Sequence, residues 1–410
     1  MAVTVYTTPA AYTPCYNGQW FTAISSNVAL QNFTYTVVCT DVITSETATY
    51  QIEQRPDTKV VFDGSTFAKN YIENYVPNNA YGFQPCTDAI RKMQVRIGET
   101  YGATPTLQLS GVDNDYYVWN GAVGYLEFAN FDYTDYVYNS NNENVKYLTT
   151  LEDKDTFDDR SLFLYALTSI ANDIGLIRIK SYDAANTLLG TSDIPNPYVA
   201  STNYLEKYLS IDIGKKGLDN IASGLVTGTY PILGANCAYY TIQDVSTLDS
   251  DGLPYTQVTD LFTVTIQCEP RYEPYIIHYL SKNGDYETLS FSKVSETSVT
   301  ADKTYYRRNP YTLTSNVYNY SPFTAQETVL NSSATTKLRL NTDWLDETQA
   351  DYHRYLVSSP SVYIDFGSTI GLIPIKVNTR DWIVNKKWNK RLYNVTIDVE
   401  YTFKENYQHG

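Results

Sequence analysis

Tyr275-Ile-Ile-His-Tyr-Leu280, the turn Lys282-Asn-Gly-Asp285 and then Tyr286-Glu-Thr-Leu-Ser-Phe291 form the stretch that decides the fold. An Asn-Gly pair between two apolar runs is the strongest short-range hairpin signal, because both residues accept the positive φ of a tight turn. The first run reads as a buried strand, with His278 alternating into it as a hydrogen-bonded core histidine. Just upstream, Phe262-Thr-Val-Thr-Ile-Gln-Cys268 alternates strictly, and the two prolines between Glu269 and Pro274 force a bend. Downstream, Ser361–Asp365, Gly371–Val377 and Leu392–Phe403 read as three further strands. A helix through Trp344, Leu345, Tyr352 and Leu356, capped by Thr342 or Asp343, is expected before them. The last strand is long enough that it must pair within its domain or with a neighbouring subunit, since a free edge invites aggregation.

The same period of two runs through the rest of the chain. Phe33–Cys39, Tyr50–Gln54 and Met93–Ile97 alternate as strands, with a turn at Arg55-Pro-Asp57. Asp63 is placed to cap a helix through Phe67, Tyr71 and Tyr75, ended by Pro77-Asn-Asn79. Asp113–Tyr117, Asp132–Tyr138 and Tyr138–Asn144 read as loops of acid and aromatic residues. Ser161–Tyr165, Gly175–Lys180 and Leu209–Gly214 read as strands, with a helical turn at Leu218–Ala222. With 410 residues the chain exceeds one core, which stops growing near ~250–300 residues. The expected fold is mainly β: multi-domain, antiparallel and β-sandwich-like, with a few short helices. Its expected domains are 1–104, 105–260 and 261–410, the last ending in a long strand.

Composition narrows function by exclusion. Charged residues make up only 18% while Tyr occurs 40 times, which excludes both a disordered chain and a coiled coil. A net charge of −15 argues against tracking nucleic-acid phosphates or anionic membranes, and the cluster Lys386, Lys387, Lys390, Arg391 is too short to reverse that field. The opening Met1–Ala10 has neither the basic nor the apolar region of a signal peptide, and no apolar run is long enough to cross a membrane. Five cysteines at irregular spacings (Cys15, Cys39, Cys86, Cys237, Cys268) read as buried thiols rather than a disulfide framework. His278, His353 and His409 lie far apart and none has metal-ligand spacing, His353 reading as structural or surface. Neither a nucleophile elbow nor a phosphate loop occurs. Asp249-Ser-Asp-Gly252 reads as a solvated turn and Glu152–Asp159 as an exposed acidic run, although either could be imagined to hold a cation or pair carboxylates. No catalytic, metal or cofactor-binding residues, and no cofactor, are expected.

The tyrosines carry the positive argument. Tyr offers a large rigid contact area at two torsions, with a hydroxyl that tolerates a wet rim. Forty of them exceed what three modest cores are expected to bury, so an assembly subunit is inferred. Candidate interface residues are Tyr6, Tyr12 and Tyr16 in an N-terminal arm Ala2–Tyr16, and Tyr133, Tyr136 and Tyr138 in the loop Tyr133–Asn144. Tyr393, Val395, Ile397 and Tyr401 in the terminal strand complete the set. A glycan- or receptor-binding module using Trp20, Trp119 and Trp382 is the alternative, and a glycoside hydrolase a third reading.

Several segments together resemble a known family. Asn32-Phe-Thr-Tyr35, Gln54-Arg-Pro-Asp57, Val61-Phe-Asp63, Arg96-Ile-Gly-Glu-Thr-Tyr101, Tyr208–Gly214 and Tyr275–Gly284 are similar to strand and turn motifs of structural virion proteins. So are the Trp344 helix, Leu356–Tyr363 and the last strand. That family belongs to crAss-like and related tailed phages. The resemblance implies a β-sandwich-rich ring subunit of the tail or neck around the DNA channel, assembled in the bacterial cytoplasm. Its implied partners are copies of itself and adjoining tail or neck proteins, with no sequence-specific nucleic acid and no membrane. An acidic lumen would keep the polymer from sticking.

Overall fold

The Asn-Gly hairpin forms where the residues dictate it: strands Tyr275–Leu280 and Tyr286–Phe291 flank a turn with Gly284 at φ +95°. A Cβ on Gly284 would lie 2.3 Å from the Asn120 carbonyl oxygen, so position 284 requires glycine for its φ and for its packing. The computed structural model describes the chain apart from residues 1–2, 77–80, 105–106, 110–112, 139–144, 150, 171–172, 200, 247–257, 268–270, 310, 321–322, 324, 368–369, 383–391 and 407–410. The fold is mainly β, with 47% strand, 10% helix and several antiparallel sheets. Among the described residues no helix is long and apolar enough to cross a membrane. The chain divides into two compact units, 1–269 with 280–288, and 270–279 with 289–410. The hairpin's tip therefore belongs to the first unit and its base to the second.

The first unit holds two sandwich-like cores. In one, Val3–Thr7, Trp20–Ser25 and Lys59–Asp63 form a three-stranded sheet. A six-stranded sheet completes it, in the order Tyr12–Pro14, Asn114–Trp119, Ile90–Thr100, Thr34–Asp41, Thr47–Ile52, with Gln108–Leu109 also paired to Ile90–Thr100. Phe21, Tyr35, Val37, Met93, Ile97 and Tyr116 fill the space between. Asp63 is not the cap expected: Gly64 takes the N-cap position without a side-chain bond, and the Asp63 carboxylate accepts from the Gln19 and Ser65 amides at 2.8 and 3.0 Å. The helix is only Ser65–Ala68, because the backbone tightens to i→i+3 bonds at Asn70 and Tyr71. The Phe67 and Tyr71 rings still pack, 4.9 Å apart.

The second core lies between a four-stranded sheet (Val137–Tyr138, Phe163–Thr168, Tyr208–Asp212, Phe83–Pro85) and a six-stranded one. The latter runs Asp153–Thr156, Phe262–Ile266, Tyr239–Val245, Leu176–Tyr182, Leu188–Pro195, Thr227–Gly228. The chain crosses between the cores repeatedly: Phe83–Pro85 serves the second, and Asn114–Trp119 returns to the first. The two cores make one unit.

The hairpin tip sits where both cores meet. Trp119 Nε1 donates to the Asn283 carbonyl at 2.8 Å, Tyr208 Oη to the Gly284 carbonyl at 2.7 Å, and Asn283 Nδ2 to the Leu148 carbonyl at 2.5 Å. Lys154 Nζ reaches Glu287 Oε2 at 2.5 Å, with the side chains 5% and 0% exposed. Burial alone would raise the Glu287 pKa, but the Lys154 charge and donated hydrogen bonds outweigh it and bring it to about 2. Burial and the adjacent Glu287 hold Asp285 well above the carboxylate range, and the Ser281 hydroxyl donates to it.

The second unit is one sheet ordered Tyr286–Phe291, Tyr275–Leu280, Val362–Asp365, Leu372–Val377, Thr396–Tyr401, Glu327–Asn341, Glu296–Arg307, with Glu405–Asn406 added to Glu327–Asn341. Ile277, Tyr279, Leu338, Ile364 and Ile397 lie in its core. Its helix is Glu347–Tyr352, capped by Asp346, and continues as a 3₁₀ turn His353–Ser358. Thr342 and Asp343 are engaged otherwise. Thr342 exchanges backbone and side-chain bonds with Val395, and Asp343 holds Lys293 at 3.0 Å. His353 is buried, with Nδ1 2.9 Å from the Tyr279 hydroxyl, and His278 is fully buried 3.8 Å from Asp365. Cys15, Cys39 and Cys86 are buried free thiols and Cys237 a half-buried one; Cys268 lies outside the described residues.

Two stability predictions follow from the first unit. Lys154→Met leaves Glu287 buried beside Asp285 without its cation and is expected to lower stability by about 3–5 kcal/mol, with Lys154→Met/Glu287→Leu recovering most of it. Thermal melts of both variants check this, and an unchanged midpoint for Lys154→Met refutes it. The second concerns Asp244, which is buried, with neither carboxylate oxygen reaching a well-formed hydrogen bond among the described residues. Burial raises its pKa from 3.8 to about 7, the Tyr147 hydroxyl opposing in part. A folded pKa above the unfolded one gives stability that is full below about pH 4 and is lost as pH rises to about 7, about 4 kcal/mol in all. Asp212, raised to about 6 by burial, adds to the same slope. Asp244→Asn should flatten the fall in melting temperature between acid and neutral pH; a slope equal to wild type excludes the assignment.

Candidate assembly interface

Glu296–Arg307 is a strand of 12 residues, every one of them exposed. Glu-Thr-Ser-Val-Thr-Ala-Asp-Lys-Thr-Tyr-Tyr-Arg is rich in β-branched and aromatic residues, which explains the extended backbone, and it lacks the apolar alternation that would bury one face. It pairs antiparallel with Glu327–Asn341 from Glu296↔Arg339 to Arg307↔Glu327, a ladder about 40 Å long. A bulge between Thr304 and Tyr305 admits Leu330 as an extra residue on the partner, a device that bends and twists a ribbon. The inner part of Glu327–Asn341 also pairs Thr396–Tyr401 and Glu405–Asn406; among the described residues its outer part, 327–332, pairs the exposed strand alone. Beyond the ribbon lies a second hairpin, Tyr311–Thr314 with Val317–Tyr320, turning through Ser315 and Asn316 at φ +51° and +64°. We call residues 296–341 the arm.

The outer arm is aromatic and basic. Tyr305, Tyr306, Tyr311, Leu313 and Val317 are exposed, Tyr318 is 74% exposed and Phe323 96%. Residues 303–326 hold Lys303, Arg307 and Arg308 and no Asp or Glu. Arg307 faces Glu327 across the ladder at 3.4 Å, both largely in solvent. A two-stranded ribbon alone is at best marginally stable in water. A long exposed edge strand is moreover a template for another chain.

The tyrosines singled out from sequence lie mostly inside their own chain. Tyr12 is buried, stacked on Tyr117 at 4.8 Å and on Tyr133 at 5.9 Å. Tyr136 stacks on Phe131 at 5.8 Å, and Tyr138 is buried in the second core. Tyr393, Val395 and Ile397 are buried in the second unit, and Tyr401 is half-buried against Phe403 at 5.1 Å. Tyr6, 67% exposed, and Tyr16, beneath Lys69 at 5.7 Å, remain at the surface. The expected N-terminal arm is instead stitched in: Val3–Thr7 pairs Trp20–Ser25, and Tyr12–Pro14 runs parallel to Asn114–Trp119. The terminal strand, shorter than expected at Thr396–Tyr401, has a neighbour on each side and offers no edge to another chain. Tyr133–Asp135 forms a 3₁₀ turn, and residues 139–144, like Asp249–Gly252 and the Lys386–Arg391 cluster, lie outside the described residues.

Of the tryptophans, Trp119 is buried and Trp382 donates to the Ala350 carbonyl at 2.9 Å, whereas Trp20 is exposed. Among the described residues no three His, Cys, Asp or Glu side chains gather where they could hold a metal. No protein-family model matches the chain, and no curated protein matches it significantly.

The contrast between Tyr12 and Tyr6 is measurable. Tyr12→Ala is expected to destabilise the first unit by about 3 kcal/mol through the cavity it leaves. Tyr6→Ala should stay within about 0.5 kcal/mol, as exposed substitutions do. Equal effects in denaturant melts would refute the placement.

Proposed function

We propose that this chain is a non-enzymatic structural subunit of a virion, forming a ring of the tail or neck of a tailed phage around its DNA channel. Its partners are other copies of itself and adjoining tail or neck proteins, and it is assembled in the host bacterial cytoplasm. The observation that carries the reading is the arm: 12 consecutive exposed residues on a sheet edge, continued by an exposed aromatic tip. A monomer gains nothing from ordering such a ribbon in water, whereas a subunit that adds strands to its neighbour does. The resemblance of the strand and turn motifs to ring proteins of crAss-like phages points the same way, and the net charge of −15 suits a wall that must not bind the polymer it encloses.

Mass photometry and negative-stain imaging of the full chain, alone and with its neighbouring gene products, test the proposal. Wild type is expected to form closed rings. A variant with 303–332 replaced by a short Asn-Gly turn, which joins the paired Asp302 and Ser333, should remain folded and monomeric, since no described residue of that segment belongs to the second unit's core. A wild-type chain that stays monomeric under all these conditions overturns the proposal, and an armless variant that forms normal rings removes the arm from it.

A further inference from the structure

The arm strand Glu296–Arg307 ends its sheet, so among the described residues one row of its backbone groups has no partner strand. Its outer part is basic in an acidic molecule: residues 303–326 carry +3, so the remaining residues carry −18. The other longer strands that end a sheet differ in charge. Val3–Thr7 and Thr47–Ile52 contain no charged residue, Lys59–Asp63 holds one of each sign, and Tyr286–Phe291 holds only Glu287, buried against Lys154. Asp153–Thr156 stands apart. Asp153 and Asp155 are exposed on one face, and Glu152, Asp158 and Asp159 beside them are exposed as well. Lys154, the cation within this run, points the other way and is held by Glu287. Lys215 lies 3.6 Å from Asp158 and Arg160 4.0 Å from Asp159, at the far end of the run.

Resting on the reading of the chain as a self-assembling subunit, we infer that the outer arm strand of one copy adds edge-to-edge to Asp153–Thr156 of a second copy. Lys303, Tyr305 and Arg307 alternate onto one face, as Asp153 and Asp155 do. In an antiparallel pair with Arg307 opposite Asp153, Tyr305 lies opposite Asp155 and Lys303 diagonal to it, the arrangement in which cross-strand charges stabilise a sheet. Backbone pairing supplies the attachment and the charges choose the edge and register. Donor and acceptor are different surfaces, so the contact is heterologous and propagates around a ring instead of stopping at a pair.

Charge reversal tests this separately from the ring reading. Lys303→Glu/Arg307→Glu/Arg308→Glu and Asp153→Lys/Asp155→Lys, each confirmed folded by circular dichroism and melting, should each assemble only at a concentration raised about a hundredfold or more, since like charges set opposite cost several kcal/mol. Mixing the two variants should restore assembly, because the reversed arm then meets a reversed edge and the unchanged arm an unchanged one. Independently, zero-length amine–carboxylate coupling of mixed isotope-labelled and unlabelled wild type should yield an inter-copy peptide joining Lys303 to Asp153 or Asp155. If the armless variant fails to assemble but both charge variants form rings like wild type, this inference falls while the ring reading stands. If no inter-copy peptide of this kind forms, or the arm variants lose binding to duplex DNA while assembling normally, the inference is overturned.

Discussion

The constraint on which the rest of the structure depends is the tip of the Asn-Gly hairpin, whose main-chain carbonyls are claimed by large side chains from strands of two different sheets. Trp119 holds Asn283 and Tyr208 holds Gly284, and both bonds need the close approach that only a residue without Cβ at 284 allows. Lys154 and Glu287 then fix the tip at its flank, in a place closed to water where removing either partner leaves the other unpaired. A buried ion pair adds little net stability relative to apolar residues, but it tolerates few alternative positions. Its contribution here is to specify where the tip goes. The two cores of the first unit share this one insert, which explains why they behave as a single compact body although each has its own sheets.

The same chemistry explains the tyrosine content. Tyr35, Tyr208 and Tyr240 are fully buried, and each gives its hydroxyl to a main-chain carbonyl, of Thr58, Gly284 and Ile213 respectively. Tyr116 gives its own to Gln19. In these cores Tyr acts as an apolar body with a polar handle that satisfies backbone groups where sheets end and loops pass behind them. The estimate that three cores could not satisfy so many hydroxyls overlooked loop carbonyls as acceptors. An interface argument built on tyrosine number therefore weakens, and one built on tyrosine position replaces it. Tyr305, Tyr306, Tyr311 and Tyr318 are exposed along the arm, with the Tyr311 and Tyr318 rings 6.1 Å apart.

What was legible in the sequence was what local chemistry decides. The hairpin strands Tyr275–Leu280 and Tyr286–Phe291 lie where Asn283-Gly284 puts them, because that turn fixes register without help from the rest of the chain. Strands with one buried face, such as Thr34–Asp41 and Leu372–Val377, announced themselves by alternation. The helix start was misjudged among several Thr and Asp residues. Asp346 with Gln349 three positions on was the better signal, and Thr342 was already committed to Val395. Alternation in Leu392–Phe403 gave a strand but could not say that both its edges were taken, since pairing partners are remote in sequence. The arm escaped notice for a plain reason: with no face buried, selection imposes no hydrophobic period, and the strand shows only in its β-branched and aromatic composition.

Charge and apolar surface are distributed so that they would do different work in an assembly. Copies of a strongly acidic chain repel one another at long range, yet at physiological ionic strength charges are screened beyond about 8 Å, so the repulsion governs approach more than contact. At contact the local pattern decides, and there the arm carries Lys303, Arg307 and Arg308 against a body whose excess is carboxylate. Surface ion pairs contribute little affinity each, so these three residues would serve to reject wrong edges and wrong registers. The affinity itself would have to come from main-chain pairing along the ribbon and from the aromatic tip around Tyr318 and Phe323, which is large, rigid and already exposed. Separating the two roles along one arm would let neighbouring copies find each other by charge and stay together by burial.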